Sequence, residues 1–239
     1  LEAGHKSVKV GIWRGEREIG PGGEFANEIA KVLEAKGAEI VDFDFTDPTC
    51  YAGVLSNVKT VFCSLTHLQG WNEIFPAFVM NCREMKIEHF VKISFLHNSK
   101  YRDNVPFCAF HNTCDEFLEV SSKNSRISYT VLATSHLMST PLLHQGDSLS
   151  KDSKYVTASY GMGVNYVSPN DVADAAMVVL LNRKDHRNKV YNLTGPGPVT
   201  DRKVATYLSK AYGKEIKHIE LGYHDYIEDV KARGLPEWL

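Results

Sequence analysis

Long apolar runs and an excess of one charge are both missing from this 239-residue sequence. No apolar stretch reaches the roughly 18 residues that a membrane-spanning helix needs, so we expect no membrane partner. Lys and Arg number 27 against 29 Asp and Glu, which gives a net charge of −2. This balance offers no electrostatic reason to expect binding to nucleic acid or to an anionic membrane surface.

Cysteine pairs and metal-ligand spacings are missing too. The five cysteines are an odd number and contain no CxxC pair. They predict free thiols rather than a disulfide framework, and with them a cytoplasmic location. The ten histidines show no metal-binding spacing, so we expect no metal site.

Several catalytic and nucleotide-binding motifs do not occur. No GxGxxG or GxxGxxG precedes the first strand, and the glycine-rich stretch 15–23 follows a strand at the wrong place for that role. The Tyr-x-x-x-Lys pair of ordinary short-chain dehydrogenases is absent, as is the G-x-S-x-G nucleophile elbow. The sequence therefore lacks the simplest signatures of a dehydrogenase or a hydrolase.

What the sequence does have is a short apolar run, His89–Leu96, with Lys92 and Ser94 near its end. Such a run is typical of a strand in the middle of a parallel sheet. Ligands in open α/β sheets bind outside the carboxyl ends of the strands, which makes the two polar side chains candidate site residues. The alternative is a core strand whose polar residues have no functional role.

Strands and helices alternate along most of the chain, which indicates βαβ units and a parallel sheet with helices on both faces. We predict an α/β, Rossmann-like core over residues 1–134 and a smaller C-terminal substrate or partner lobe within residues 135–239. The stretch 139–163 shows no clear period. The predicted strands are Val8–Trp13, Glu39–Phe43, Lys59–Ser64, His89–Leu96, Ser128–Ala133, Lys189–Leu193 and Ile216–Leu221, and the main helices are Glu24–Lys36, Trp71–Met85, Phe107–Ser121, Thr200–Tyr212 and Tyr223–Arg233.

Arg14 lies at the end of the strand Val8–Trp13. An arginine at the end of the second Rossmann strand accommodates the 2′-phosphate of NADP, whereas an acidic residue there would hold the ribose hydroxyl of NAD. Arg14 therefore predicts a preference for NADP(H). The alternative is a solvated surface arginine.

Eight segments in order resemble the NmrA-like family of atypical short-chain dehydrogenase/reductases, over essentially the whole chain. The segments are LEAGHKSVKVGIWR, AEIVDFDFTDP, VKTVFCSL, HFVKISFL, ISYTVLATSHLMS, VNYVSPNDVADAA, KVYNLTGPGPVT and GLPEWL. The resemblance implies a Rossmann domain that binds NADP(H) or NAD(H). Some members reduce quinones, azo dyes or triphenylmethane dyes, and others are non-catalytic redox sensors that bind protein partners.

The resemblance also assigns candidate site residues. Arg14 matches the arginine of the 2′-phosphate, Asp44 and Phe45 match residues near the adenine, and Ser64, Leu65 and Thr66 match a segment along the cofactor. Lys92 and Ser94 match the strand beside the nicotinamide, although many members have a second serine where Phe95 stands. His111 lies on a helix that often carries a polar active-site residue in this family.

The largest departure from the family is at the front of the chain. The family begins with a strand and a glycine-rich turn, whereas this sequence resembles the family only from the end of its first helix. Without that strand we expect a gap between Val8–Trp13 and Lys59–Ser64. We therefore expect a fragment of a longer protein, and the alternative is a rearranged sheet. We expect NADP(H) to bind the full-length protein and to bind the 239-residue chain weakly or not at all, because the helix N-terminus that holds the pyrophosphate is missing.

Two functions remain open on the sequence. The first is an NADP(H)-dependent oxidoreductase that passes hydride to a small conjugated acceptor of the quinone, azo or dye type, with Lys92 or His111 donating a proton. The second is a non-catalytic regulator that senses NADP(H) or binds a regulatory protein partner. The missing Tyr-x-x-x-Lys does not separate them, because active members of the family lack it as well.

Overall fold

The computed structural model describes residues 7–13, 21–64, 70–96, 105–123 and 125–234, and the structural statements below refer to these residues. Strands and helices alternate through most of the chain. The strands are β1 (Lys9–Trp13), β2 (Glu39–Phe43), β3 (Thr60–Cys63), β4 (His89–Phe95), β5 (Ser128–Thr134), β6 (Lys154–Thr157), β7 (Gly163–Val164), β8 (Lys189–Leu193), β9 (Val199–Thr200) and β10 (Lys217–Glu220). The α-helices are α1 (Pro21–Ala35), α2 (Tyr51–Leu55), α3 (Trp71–Glu84), α4 (Pro106–Ser122), α5 (Thr140–Asp147), α6 (Pro169–Leu181), α7 (Asp201–Tyr212) and α8 (Tyr223–Ala232).

A four-stranded parallel sheet in the order β3-β4-β5-β8 is flanked by helices, and this confirms the predicted α/β, Rossmann-like fold class. Strand β4 lies between β3 and β5 and carries buried side chains on both of its faces. A strand with neighbours on both sides and helices over its faces has no solvent-facing side. The three polar residues of β4, His89, Lys92 and Ser94, are therefore buried with it.

Strands β1 and β2 form a separate parallel pair, in which Lys9 is opposite Glu39 and Trp13 is opposite Phe43. Among the described residues β1 pairs with β2 alone, and β3 pairs with β4 alone at the edge of the four-stranded sheet. In the described part of the chain β1 and β3 therefore do not pair with each other, and the gap between them stays a prediction.

Helix α1 differs from its prediction in two respects. It begins at Pro21 rather than Glu24, because the fixed φ of proline suits the first position of a helix and needs no backbone donor there. Its predicted apolar face is also only partly covered, since Ile29 and Val32 remain 40% and 57% exposed. The described residues therefore do not bury the whole hydrophobic face of this helix.

The chain divides into two compact units, and each has its own core. Unit 1 contains Leu1–Ile93, Phe110–Val131 and Val178–Lys189, and unit 2 contains Ser94–Ala109, Leu132–Met177 and Val190–Leu239. The domain limits 1–134 and 135–239 stay a prediction. The core of unit 1 contains many aromatic residues, and that of unit 2 is mostly aliphatic. Prominent core residues are Tyr51, Phe75, Phe78 and Phe90 in unit 1, and Leu149, Tyr155, Val204, Ala205 and Ile216 in unit 2.

The stretch 139–163, for which the sequence shows no period, is structured. It forms α5, a π-helical turn over Ser148–Asp152, and the strands β6 and β7. Strand β6 pairs in parallel with β10, about sixty residues further on, with Tyr155 opposite His218. A four-residue strand fixed by so distant a partner has too little local pattern to be found from sequence.

All five cysteines are free, as their odd number predicts. No helix among the described residues combines the length and the apolar character that a membrane crossing requires.

Candidate functional site

The buried polar centre of unit 1 is formed by Lys92 of β4 with two residues of α4. The ammonium nitrogen of Lys92 lies 2.8 Å from Asp115 Oδ1 and 3.1 Å from His111 Nδ1. It also donates to the backbone carbonyl of Ile93 at 3.3 Å. Lys92 is fully buried and His111 is 4% exposed, while the Asp115 side chain is 12% exposed. Lys92, His111 and Asp115 are called the Lys92 centre below.

The chemistry of lysine fixes the tautomer of His111. A charged ammonium group has only donors, so Nδ1 of His111 accepts and the ring proton of a neutral imidazole lies on Nε2. The centre thus holds a cation, a carboxylate and a neutral imidazole in contact. It can hold a proton on Lys92 and present another on His111 Nε2.

Asp115 is the residue that sequence reasoning missed. It lies four positions after His111 on α4, so both side chains project from the same side of the helix. That spacing is the signal that was available in the sequence. It does not reveal the partner, because Lys92 lies on a strand that only the tertiary fold brings against α4.

The apolar surroundings of Lys92 include an aromatic ring and two thiols. Its ammonium nitrogen lies 6.0 Å from the centre of the Phe75 ring, within the range of a cation–π contact. Burial raises the pKa of the Cys63 and Cys114 thiols to about 12, although the positive charge of Lys92 acts in the opposite direction on both. Both thiols therefore stay protonated, and no thiolate nucleophile forms beside Lys92 at neutral pH.

Asp44 and Phe45 follow the carboxyl end of β2, where the resemblance expects the adenine. The Asp44 carboxylate accepts hydrogen bonds from the backbone and the hydroxyl of Thr46, at 2.7 and 2.6 Å. The Phe45 ring packs edge-on against Phe43 at 4.4 Å and Phe78 at 5.4 Å. Both residues are therefore held in place by local contacts, and both keep part of their surface exposed.

The remaining predicted cofactor residues are placed only in part. Ser64 follows β3 and is exposed. Arg14, Leu65 and Thr66 lie outside the described residues, so their predicted contacts with the cofactor stay predictions. Ser94 belongs to unit 2, where it is 2% exposed and its carbonyl accepts from the Thr134 hydroxyl at 3.3 Å.

The structure thus brings Lys92 and His111 together and adds Asp115 to them. Their predicted catalytic role stays a prediction. Within the described part of the chain, no group of three or more His, Cys, Asp or Glu residues could hold a metal ion.

Comparison with known proteins shows what this chain is similar to. No protein-family model matches it. It is 23% identical over 244 residues to the Prestalk A differentiation protein A of Dictyostelium discoideum, covering 99% of this chain and 72% of that protein. It is 21% identical over 210 residues to the NAD(P)H azoreductase of Xenophilus azovorans, covering 88% of this chain and 71% of that protein.

Two solved structures extend the comparison. The triphenylmethane reductase of Citrobacter sp., complexed with NADP(H), has a TM-score of 0.70 and 21% identity, over 88% of this chain and 72% of that one. The NADPH-dependent quinone oxidoreductase QOR2 of Escherichia coli has a TM-score of 0.68 and 21% identity, over 88% and 71%. The fold is the Rossmann-like fold of reductases and epimerases. This agrees with the resemblance to the NmrA-like family.

Proposed function

We propose that this chain is an NAD(P)-dependent oxidoreductase whose acceptor is a small conjugated molecule of the quinone, azo or dye type. The observation that carries the proposal is the parallel sheet of the reductase fold, with polar and aromatic residues following the carboxyl ends of its strands. Three of the four similar proteins named above are, by their names, reductases or oxidoreductases that use NADP(H) or NAD(P)H, which supports a nicotinamide cofactor.

The residues after β2 fit the adenosine end of such a cofactor. Phe45 is fixed edge-on by Phe43 and Phe78 and keeps part of its ring exposed, as a surface for a flat base requires. Asp44 is fixed by Thr46, and its carboxylate is a hydrogen-bond acceptor. Arg14 would hold the 2′-phosphate, and Ser64, Leu65, Thr66 and Ser94 would line the path of the cofactor.

The nicotinamide supplies the hydride when it is bound. The residues of this chain bind, orient and supply protons. In the Lys92 centre, Lys92 holds a proton that Asp115 stabilises, and His111 carries an N–H at Nε2. Lys92 and His111 thus remain the candidate proton donors for the reduced acceptor.

A second function is supported by a specific observation. The relative matched over 99% of this chain is named for differentiation rather than for a reaction. The second candidate is therefore a non-catalytic protein that senses NADP(H) or binds a regulatory protein partner.

The two candidates separate in a binding and turnover experiment. NADPH and NADH are titrated by calorimetry into the 239-residue chain and into a chimera that carries, ahead of residue 1, the strand and glycine-rich turn of the family. Oxidation of NADPH is then followed with a panel of quinones. Binding with turnover supports the reductase, and binding without turnover on any acceptor supports the sensor. No binding to either protein contradicts both the reductase and the NADP(H) sensor and leaves the partner-binding protein.

Arg14→Ala tests the preference for NADP(H). In whichever of the two proteins binds the cofactor, this variant should lower the affinity for NADPH about tenfold or more and leave the affinity for NADH nearly unchanged. The reason is that a charge-assisted contact to a phosphate contributes about 1.5–3 kcal/mol. Arg202→Ala, at an exposed arginine of α7, is the control and should change neither affinity. An equal loss for both cofactors would contradict the assignment of Arg14 to the 2′-phosphate.

A further inference from the structure

Four aromatic side chains in unit 2 form a partly exposed cluster. The rings of Phe95 and Phe107 lie 5.3 Å apart, those of Phe95 and His136 lie 5.3 Å apart, and those of His136 and Tyr166 lie 6.3 Å apart. Phe95 is the last residue of β4, and His136 follows β5 by two residues. Because β4 and β5 are parallel neighbours, the cluster lies at the carboxyl ends of two adjacent strands. We call these four residues the strand-end cluster.

Backbone pairing holds the cluster together on one side. Leu137 and Val167 form a parallel bridge in which the amide of Val167 donates to the carbonyl of His136 at 2.9 Å. The residues before each bridge partner, His136 and Tyr166, therefore lie side by side. The hydroxyl of Tyr166 interacts with that of Tyr155, which donates to Asp201 at 3.1 Å. The Tyr166 ring is thus fixed from behind by a buried hydrogen-bonded chain.

The exposure of this cluster distinguishes it from ordinary core packing. In unit 1 the comparable aromatic residues Phe75, Phe78 and Phe90 are between 0% and 4% exposed. In the strand-end cluster, by contrast, the two phenylalanines and Tyr166 are half-buried and His136 is exposed. Large aromatic side chains held in place and left open to solvent at strand ends are typical of a ligand surface.

His136 also has unused hydrogen-bonding capacity. Neither of its ring nitrogens has a hydrogen-bond partner among the described residues. Partial burial by the surrounding protein lowers the pKa of the ring below its usual 6.5, although the negative charge of Asp201 acts in the opposite direction. At neutral pH the imidazole is therefore uncharged, with one N–H donor and one acceptor. A neutral donor between aromatic rings matches the carbonyl oxygen of a flat, uncharged molecule.

We propose that the strand-end cluster is a binding site for a planar conjugated carbonyl compound, with Phe95, Phe107 and Tyr166 contacting its ring system and His136 donating a hydrogen bond to its carbonyl oxygen. This inference deepens the proposed function, since it names residues for the acceptor. It rests on the geometry of unit 2 alone, so it can be tested without a cofactor.

The test measures binding of two matched probes by ligand-observed NMR and equilibrium dialysis. One is 2,3-dimethyl-1,4-naphthoquinone, whose substituted ring positions resist addition by thiols, and the other is 2,3-dimethylnaphthalene, which lacks the carbonyls. His136→Phe keeps an aromatic ring and removes the donor. It should lower the affinity for the quinone about threefold to tenfold, which is the contribution of one hydrogen bond, and leave the affinity for the hydrocarbon unchanged. Phe95→Leu should lower the affinity for both probes, because both contact the aromatic rings.

The control is His224→Phe. His224 is also exposed and lies against a tyrosine ring, with the rings of Tyr223 and His224 5.7 Å apart. It should change neither affinity, and circular dichroism should show all variants folded. The absence of quinone binding at millimolar concentration would overturn the inference, as would equal effects of His136→Phe and His224→Phe. If the chimera bound the quinone but never oxidised NADPH, the proposed reductase alone would be contradicted. If its turnover were unaffected by His136→Phe and Phe95→Leu, the strand-end site alone would be contradicted.

Discussion

Lys92 and Asp115 form an ion pair with 2.8 Å between Nζ and Oδ1, in which the lysine has no exposed surface. Removing one partner of such a pair leaves the other charge buried without compensation. Asp115→Asn should therefore lower the free energy of unfolding by about 3–5 kcal/mol. The double variant Lys92→Met/Asp115→Leu removes both charges and should be clearly more stable than Asp115→Asn. Urea unfolding measures both.

An exposed ion pair on the same helix provides the control. Lys123 and Glu119 lie 3.3 Å apart, with side chains 64% and 53% exposed. Glu119→Gln should change the stability by less than about 1 kcal/mol. If Asp115→Asn cost no more than Glu119→Gln, the Lys92 pair would not be held in the folded state as described.

His89 should make the stability of unit 1 depend on pH. It has no exposed surface, its ring nitrogens lie 2.8 Å from the Ser128 hydroxyl and 3.0 Å from the Thr130 hydroxyl, and burial together with nearby Arg183 lowers its pKa from 6.5 to about 4. Between those values the unfolded chain binds a proton that the folded chain does not. Stability is therefore lost as the pH falls from about 6.5 towards 4.

The measurement is urea unfolding at pH 7 and pH 5 for the wild type and for His89→Gln, whose amide can still bond to both hydroxyls. Between pH 7 and pH 5 the free energy of unfolding of the wild type should fall by roughly 1–2 kcal/mol more than that of the variant, since one pKa unit corresponds to about 1.4 kcal/mol. His224→Gln, at an exposed histidine of α8, should behave as the wild type. Identical pH dependence in the wild type and His89→Gln would contradict the assignment.

The sequence predicted the central strand well because its pattern is local. The run His89–Leu96 is apolar, and the structure has a strand over His89–Phe95. Its three polar residues, His89, Lys92 and Ser94, are buried. The pattern could not decide this for Lys92 and Ser94, because the same residue types also fit an exposed strand end. The burial comes from α4, whose Asp115 supplies the compensating charge.

The parts that sequence could not predict depend on distant partners. Strand β6 exists because it pairs with β10, and the ring of His136 meets Tyr166 because Leu137 and Val167 form a bridge thirty residues apart in sequence. The resemblance drew attention to Lys92 and His111, which are buried. It assigned no role to His136 itself, although residues 136–163 were predicted to cover the acceptor.

Two buried serines should respond in opposite ways to removal of the hydroxyl. Ser128 Oγ lies 2.8 Å from His89 and donates to the Glu88 carbonyl at 3.0 Å, whereas Ser135 Oγ, in a residue 6% exposed, has no hydrogen-bond partner among the described residues. Ser128→Ala should lower the free energy of unfolding by about 1–3 kcal/mol, because the buried groups that bond to its hydroxyl lose their partner. Ser135→Ala should be neutral or stabilising. Thermal unfolding of both variants decides this, and a cost at Ser135 equal to that at Ser128 would contradict it.

The five free thiols should react in two classes. Cys63, Cys82 and Cys114 are at most 4% exposed, whereas Cys50 and Cys108 are half-buried. Burial raises the pKa of the three buried thiols and also that of Cys108. The thiolate is the reactive form. The three buried thiols should therefore be protected from modification both by their low thiolate fraction and because the reagent cannot reach them. At pH 8, an aromatic disulfide reagent should modify Cys50 and Cys108 quickly in the folded protein and the other three only at the rate of unfolding.

Denaturation without reductant should then release all five thiols, since the structure contains five free cysteines. Asp115→Asn offers a sharper check, because it destabilises the unit that contains the three buried thiols. The variant should speed the modification of the three buried thiols by about the same factor as it raises the unfolded population. The modification rates of Cys50 and Cys108 should not change. Glu119→Gln is again the control. Rapid modification of Cys63, Cys82 or Cys114 in the folded wild type, identified by mass spectrometry, would contradict their burial in the core of unit 1.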